Sequence, residues 1–296
     1  MTGPKDLDRT QVHQALDQEL AALCTPPAQE HNGQQAPATI NQQQITSLHQ
    51  KLGAPIPTIY RAALEKGILP LRYLRNYPAI SVSEQRQLAT RRVVVVGAGG
   101  LGGQILISLA RMGVGQLIVV DPSRFEESNL NRQALCTPMS LGMTKVHTAK
   151  SVVEDQNPAV EVTIHPVRLT VENRMQILAD AHVAADALDS IQDRLILEEG
   201  TKEAGIPLVH AAIDGFFGQL MTIYPQDPGL TRIYGSGDGL QPPSHGNLPM
   251  TALTMANLQA MEVLKVLLGR GRPIRNTMLT LELEEGLMEQ FSFPQP

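Results

Sequence analysis

"RRVVVVGAGGLGGQILISLARMG", residues 91–113, is the stretch on which the fold turns. Its four consecutive valines are β-branched and apolar, and they read as a strand buried on both faces, as in the middle of a parallel sheet. The apolar run that ends at Met112 reads as a helix. Between them lies a turn of the form G-x-G-x-x-G, with Gly97, Gly99 and Gly102 at the fixed positions and Gly100 inside. Gly97 permits the tight turn, Gly99 lets backbone approach a phosphate, and Gly102 lets helix and strand pack closely. The helix N-terminus then offers free N–H groups and a partial positive charge. Such a loop holds phosphate, either that of a dinucleotide or that of ATP.

Outward from this unit the chain alternates. Strand candidates lie at 92–96, 117–121, 160–165, 183–188, 207–212 and 217–224, and helix candidates at 100–112, 144–155, 171–179, 190–204 and 250–268. The pattern predicts an α/β fold: a Rossmann-like, doubly wound, mainly parallel sheet with helices on both faces and ligands at the carboxyl ends of the strands. It occupies 86–296. Upstream, 1–44 reads as a flexible polar segment, with a short polar helix at 8–23 and a Pro/Gln-rich linker at 24–44. Residues 45–85 read as a helical extension, beginning with two short helices around "GAPIP". The stretch 225–249, rich in Pro and Gly, reads as a long loop, and such loops are usually functional or mobile.

Composition narrows the function. A net charge of −5 provides no basic field to draw in nucleic acid or an anionic membrane. Two cysteines, Cys24 and Cys136, make neither a disulfide framework nor a four-thiolate zinc site, and fit a reducing cytoplasm. The first residues hold no apolar signal stretch. The most apolar window, 250–268, is interrupted by Asn257, Gln259, Glu262 and Lys265, so no span of a bilayer is expected. The expectation is a soluble, cytoplasmic protein.

Asp121 ends the second strand, where a carboxylate can accept hydrogen bonds from ribose hydroxyls. To this point a nicotinamide enzyme would look the same. The next residues, "PSRFEESNLNRQ", change that by placing Asn129, Arg132 and Gln133 just past the strand, with Lys145 opening the following helix. Backbone amides can largely neutralise a pyrophosphate, whereas a triphosphate carries more charge and suits an added Arg and Lys. Further on, "DALDSIQDR" puts Asp189 near the end of the fourth strand, where it could hold Mg²⁺.

Together "GAGGLG", Asp121, "SNLNRQ", Lys145 and "DALDSIQDR" resemble, in order and spacing, the MoeB/ThiF/HesA adenylyltransferases, relatives of ubiquitin-activating enzymes. The likeness runs from about Leu71 to Leu283. It implies an ATP-binding adenylation domain that activates the C-terminal carboxylate of a small ubiquitin-like sulfur carrier ending in Gly-Gly, as in molybdopterin, tungstopterin or thiamine-type biosynthesis. By the same likeness, Gly97, Gly99, Gly100 and Gly102 form the nucleotide loop and Asp121 holds the ribose. Asn129, Arg132, Gln133 and Lys145 bind the triphosphate, and Asp189 binds Mg²⁺. "RYLRN" at 72–76 is similar to the family's N-terminal arginine motif, so Arg75 is expected to enter the partner subunit's site in a homodimer. The catalytic set implied is Arg75, Arg132, Lys145 and Asp189.

Alternatives stay open beside this. Asp189 could be a helix cap, with Gln192 three residues on. Lys145 alone reads as a solvated helix lysine, Arg75 as a surface arginine, and Cys136 as a small buried residue. The paired C-x-x-C zinc motifs of many members are missing, so no zinc is expected. Loop 225–249 has no cysteine, so sulfur, if transferred, comes from an external donor. His49, Gly53 and Ile59 have helix-turn-helix spacing, but the second helix offers only Arg61 and Lys66, offset by Glu65. A docking or dimer hairpin is the better reading than DNA binding. Other acceptors within the family, a tRNA base or a peptide, and a non-catalytic nucleotide-fold protein complete the alternatives.

Overall fold

The computed structural model describes residues 9–23, 36–236 and 245–293. At the N-terminus come α1 (Arg9–Leu23), β1 (Thr39–Ile40), α2 (Gln42–Leu52), α3 (Ile56–Glu65), β2 (Leu69–Pro70) and α4 (Val82–Leu88). The nucleotide-binding unit follows with β3 (Arg92–Val96), α5 (Gly100–Met112), β4 (Gln116–Val120), α6 (Lys145–Gln156), β5 (Glu161–His165), α7 (Arg174–Leu178) and β6 (Val183–Asp186). It closes with α8 (Ile191–Ala204), β7 (Leu208–Asp214), β8 (Phe217–Ile223), α9 (Thr231–Tyr234), α10 (Pro249–Leu268), β9 (Thr277–Glu282) and β10 (Leu287–Ser292).

One sheet of eight strands runs β10-β9-β8-β7-β6-β3-β4-β5. The five strands from β7 to β5 are parallel, and β8, β9 and β10 are added antiparallel. The valines of β3 explain its central place. Val93 and Val95 enter one apolar cluster with residues of α5, α6 and α10, while Val94 and Val96 enter another on the opposite face with Leu178 and Leu197 of α7 and α8. All four are buried, each worth about 1.5–3 kcal/mol of side-chain burial. Sequence order reverses between β3 and β6, because β3 is flanked by β4 on one side and β6 on the other. Loops leaving these strands diverge and open a crevice at their carboxyl ends. The site is built there.

The N-terminal elements have their own core. Leu16 and Leu20 of α1 are buried with Ile45, Leu48, Ile59 and Tyr73. This corrects the expectation of a flexible segment over 1–44: residues 9–23 and 36–44 are packed, and only 24–35 of the expected linker lie outside the described residues. Two local signals account for it. Ile40 is apolar and buried, and Asn41 with Gln44 forms a capping box that starts α2. Asn157 Nδ2 donates to the Tyr73 hydroxyl at 2.8 Å and Arg72 donates to Gln156 O at 2.8 Å, fastening 71–76 to the sheet domain. Burial pushes the Tyr73 phenol up to about 12. In α3, Ile59, Tyr60, Ala62, Ala63 and Leu64 are buried and Arg61 pairs with Glu161 at 3.4 Å, while Lys66, just past its end, pairs with Asp17 at 3.1 Å. A recognition helix would need that face and those cations free.

Other boundaries shift. β6 ends at Asp186 rather than 188, the expected 171–179 helix contracts to Arg174–Leu178, and α9 interrupts the loop expected over 225–249. The antiparallel strands β9 and β10 were not expected.

Candidate active site

A cleft of about 780 Å³ opens at the crevice between β3, β4 and β6. It brings together Gly97, Gly99, Gly100, Asp121, Arg132, Gln133, Lys145 and Asp189 from the expected set. Gly102, Asn129 and Arg75 do not line it.

The glycine loop has two kinds of glycine. At Gly97 (φ +96°) a Cβ would collide with the Ala187 carbonyl, and at Gly102 it would collide with the Gly97 carbonyl. Packing requires both. At Gly99 a Cβ would meet only the Gln133 amide at 3.6 Å, so the protein leaves that space to the cleft. Asp121 tethers the loop from below: its Oδ2 accepts from Ala98 N–H at 2.8 Å and its Oδ1 from Ser123 N–H at 2.7 Å.

Asn129 is buried away from the cleft. Its Oδ1 accepts from Glu126 N–H, and its carbonyl accepts from the Arg132 and Gln133 amides at 3.2 and 3.0 Å. It therefore shapes the turn that presents Arg132 and Gln133, where direct phosphate contact was expected. Residues 123–125 run beside 143–145, with Lys145 N–H donating to Ser123 O at 3.0 Å, which carries Lys145 to the end of β4. Lys145 is the first residue of α6, where a cation opposes the helix dipole. Among the described residues neither Arg132 nor Lys145 pairs with a carboxylate. Arg132 donates to Ser128 O and Asn131 Oδ1, and Lys145 lies 5.9 Å from the Phe125 ring centre.

Opposite stands the turn between β6 and α8. Ser190 is the N-cap of α8, its hydroxyl accepting from Asp193 N–H. The cap reading of Asp189 is therefore overturned, because Asp189 precedes the cap. Its carboxylate is exposed at the cleft and makes no hydrogen bond among the described residues. Arg168 stands close enough to interact electrostatically with Asp189, but bonds Asp193 at 2.7 and 3.1 Å. Mg²⁺ is commonly held by one or two carboxylates, phosphate oxygens and waters, so a single free carboxylate beside a phosphate loop suits it.

Several cleft residues escaped sequence reasoning: Arg168, Arg194, Asp214, Gln219 and Tyr234. Asp214 accepts from His245 Nδ1 at 2.6 Å, and this bond holds its carboxyl below the ordinary range. Only Asp214, at the end of β7, and Arg168, just past β5, carried a signal of position; Arg194 within α8, Gln219 within β8 and Tyr234 at the end of α9 carried none. Arg75 is exposed on the short helical turn 71–76, away from its own chain's cleft, and Cys136 is buried in the core beside α5.

Comparisons with known proteins give the family and the fold. The ThiF family model matches residues 73–296. The sulfur carrier protein adenylyltransferase of Thermus thermophilus is 36% identical over 228 residues, covering 72% of this chain and 83% of the relative. The SAMP-activating enzyme E1 of Haloferax volcanii is 35% identical over 219 residues, covering 70% and 79%. A crystal structure of E. coli MccB matches the fold with a TM-score of 0.68 at 17% identity, covering 100% of this chain and 92% of that one. The chain belongs to the ThiF family and is an adenylyltransferase.

Proposed function

We propose that the protein uses ATP to adenylate the C-terminal carboxylate of a ubiquitin-like sulfur carrier ending in Gly-Gly, of the molybdopterin, tungstopterin or thiamine type. The observation that carries this reading is the pair Arg132 and Lys145, both lacking a carboxylate partner among the described residues and both lining the cleft of the glycine loop. The relatives' names supply the acceptor class.

In the reaction a carboxylate oxygen attacks the α-phosphorus, the bond to the bridging oxygen breaks, and pyrophosphate leaves with that electron pair. The attacking group is ionised at neutral pH, so no general base is needed. The obstacle is repulsion between an anion and a polyanion, and the site must cancel charge. The N–H groups at the start of α5 and the open backbone at Gly99 and Gly100 take the phosphates. Asp121, whose oxygens each keep a lone pair, takes the ribose. Arg132 and Lys145 neutralise the phosphate chain, with Gln133 as a polar neighbour. Asp189 would hold Mg²⁺, which when bound supplies further charge neutralisation. Arg75 of a second copy of the chain would complete the site from outside, consistent with its exposure here.

ATP–pyrophosphate exchange tests the proposal. It should require a diglycine-ended carrier, and exchange driven instead by a peptide or a tRNA would transfer the enzyme to another acceptor.

A further inference from the structure

Beneath Asp189 lies a shell of buried polar side chains drawn from distant parts of the chain. Asp186, the last residue of β6, is 0% exposed, as is His210 of β7, and Arg194 of α8 is 7% exposed. A buried carboxylate must be compensated. Asp186 Oδ2 is 2.6 Å from His210 Nδ1 and 3.9 Å from Arg194 Nε, and Oδ1 accepts from Leu188 N–H at 2.9 Å. Arg194 also donates to the Leu188 carbonyl, and Gln259 Nε2 donates to the Asp186 carbonyl at 2.8 Å.

The consequence is local and directional. Both peptide groups of Leu188 are held from below, one by the Asp186 carboxylate and one by the Arg194 guanidinium. The next residue is Asp189, whose side chain has no hydrogen bond among the described residues to set its direction. His210 stands one step further back. A carboxylate on Nδ1 fixes the tautomer with the proton there, leaving Nε2 to accept from Gln219 Nε2 at 3.2 Å. Gln219 in turn donates to the Tyr234 hydroxyl. The ring is thus braced on both nitrogens and cannot swing away from Asp186.

We propose that Asp186, His210 and Arg194 form a positioning unit that aims the Asp189 carboxylate into the cleft, with His210 as the residue that keeps Asp186 in register. This rests on the reading of Asp189 as the Mg²⁺ ligand. None of the three need touch the reacting atoms; they act through the Leu188 peptide groups.

ATP binding measured calorimetrically, in EDTA and across a Mg²⁺ series, tests the unit without requiring turnover. His210→Leu removes the donor to Asp186. It should raise the Mg²⁺ concentration needed for half of the Mg²⁺-dependent gain in ATP affinity by about 10–100-fold, the usual size of effects from groups behind a metal ligand. Affinity in EDTA should stay as in wild type. His210→Asn, whose side-chain amide can donate near the place of Nδ1, should recover most of the loss, which a merely structural defect would not predict. Should His210→Leu fail to fold, His210→Phe decides: it keeps a ring in the same place but has no N–H to give Asp186, and the same rise is expected. A folded variant with wild-type Mg²⁺ dependence overturns the proposal, as does an equal loss of affinity with and without Mg²⁺. Asp189→Ala is the control that separates the two layers. If it abolishes the Mg²⁺ effect while the shell variants do not, only the positioning unit falls; if it leaves the effect intact, the Mg²⁺ assignment falls and the unit with it.

Discussion

The two walls of the cleft carry cations in opposite ways. On the glycine-loop wall, Arg132 and Lys145 have no carboxylate partner among the described residues. On the α8 wall, Arg168 is bound to Asp193 and Arg194 stands over Asp186, so each positive charge is already matched. Two unit charges in contact near a protein surface interact by about 4 kcal/mol, which makes a matched cation a weak receptor for phosphate. Free charge is thus concentrated where the phosphate chain would run, and the opposite wall presents one carboxylate that is free among the described residues, Asp189. One wall is built to bind and the other to hold still.

The largest test of that contrast is to remove the free cations. Arg132→Ala and Lys145→Ala should each lower pyrophosphate exchange by about 10²–10³-fold, the scale of losing one pre-placed charge stabiliser. Stability should barely respond. For Lys145→Ala it should rise by about 0.3–1 kcal/mol, because the lysine opposes the α6 dipole. A large fall in melting temperature with modest loss of exchange would make these residues structural and erase the difference between the walls.

A comparable loss is expected for Arg75→Ala, and here the test is complementation. Arg75→Ala and Asp189→Ala homodimers should each be inactive, because every site lacks one part. After subunit exchange, half of the dimers are mixed and each has one whole site, so activity should approach about a quarter of wild type if the sites act independently. A mixture that stays inactive despite verified exchange would mean that Arg75 does not act in trans.

The contrast between the walls also explains what the sequence made legible. The glycine-loop wall is written almost consecutively: Gly97 to Gly102, Asp121, then Arg132 and Gln133 lie within 37 residues, each just past a strand that its own composition announces. Ligand-facing groups at strand ends follow from local pattern. The α8 wall is assembled from Asp186, Arg194, His210, Gln219 and Gln259, whose partners are fixed only by strand order and register. Nothing local distinguishes His210 in "LVHAAID" from a solvent-facing strand residue until β7 is known to lie inside the sheet. The same limit hid the packing of α1: Leu16 and Leu20, with Val12 and Leu23 beside them, are spread through a polar sequence, and their partners begin some 20 residues later. Asp189 lines the cleft, and the cap reading fails because Ser190, one residue on, takes that role.

A smaller effect probes the wall that holds still. Burial lowers the His210 pKa despite its bond to Asp186. Burial works against Asp186 too, but Arg194 and His210 outweigh it and keep that carboxyl below its ordinary range. The charged or titratable groups facing the ring are Asp186, Arg194 and Tyr234. The neutral imidazole is therefore buried in the folded state and free to take a proton in the unfolded one. Stability present above the unfolded value, about 6.5, should be lost as pH falls below it, with a slope of at most about 1.4 kcal/mol per pH unit for one proton. His182, also lowered by burial, adds a slope of the same sign. Denaturant unfolding of wild type and His210→Asn between pH 7.5 and 5.5, as a rough range bracketing that value, isolates the His210 share. Identical slopes would mean that the ring is not held neutral.

The smallest effect is expected behind the binding wall, at Cys136. Its side chain is buried in the same apolar cluster as α5, and its Sγ lies 3.9 Å from the Glu126 carbonyl, so the thiol packs against the loop that carries Arg132 without reaching the cleft. Adenylation as proposed uses oxygen nucleophiles and cations only, and it assigns this sulfur no step. Cys136→Ser exchanges a small apolar group for a hydroxyl that still finds the Glu126 carbonyl as acceptor, so the cost should be about 1 kcal/mol of stability. Pyrophosphate exchange should stay at the wild-type rate, also when Cys24→Ser is added. The outcome that would sink this is specific: a doubly substituted protein that melts almost as wild type does but no longer exchanges pyrophosphate. It would place a thiol in the chemistry, and the wall now read as a charged phosphate cradle would have to be read again as the approach to a nucleophile.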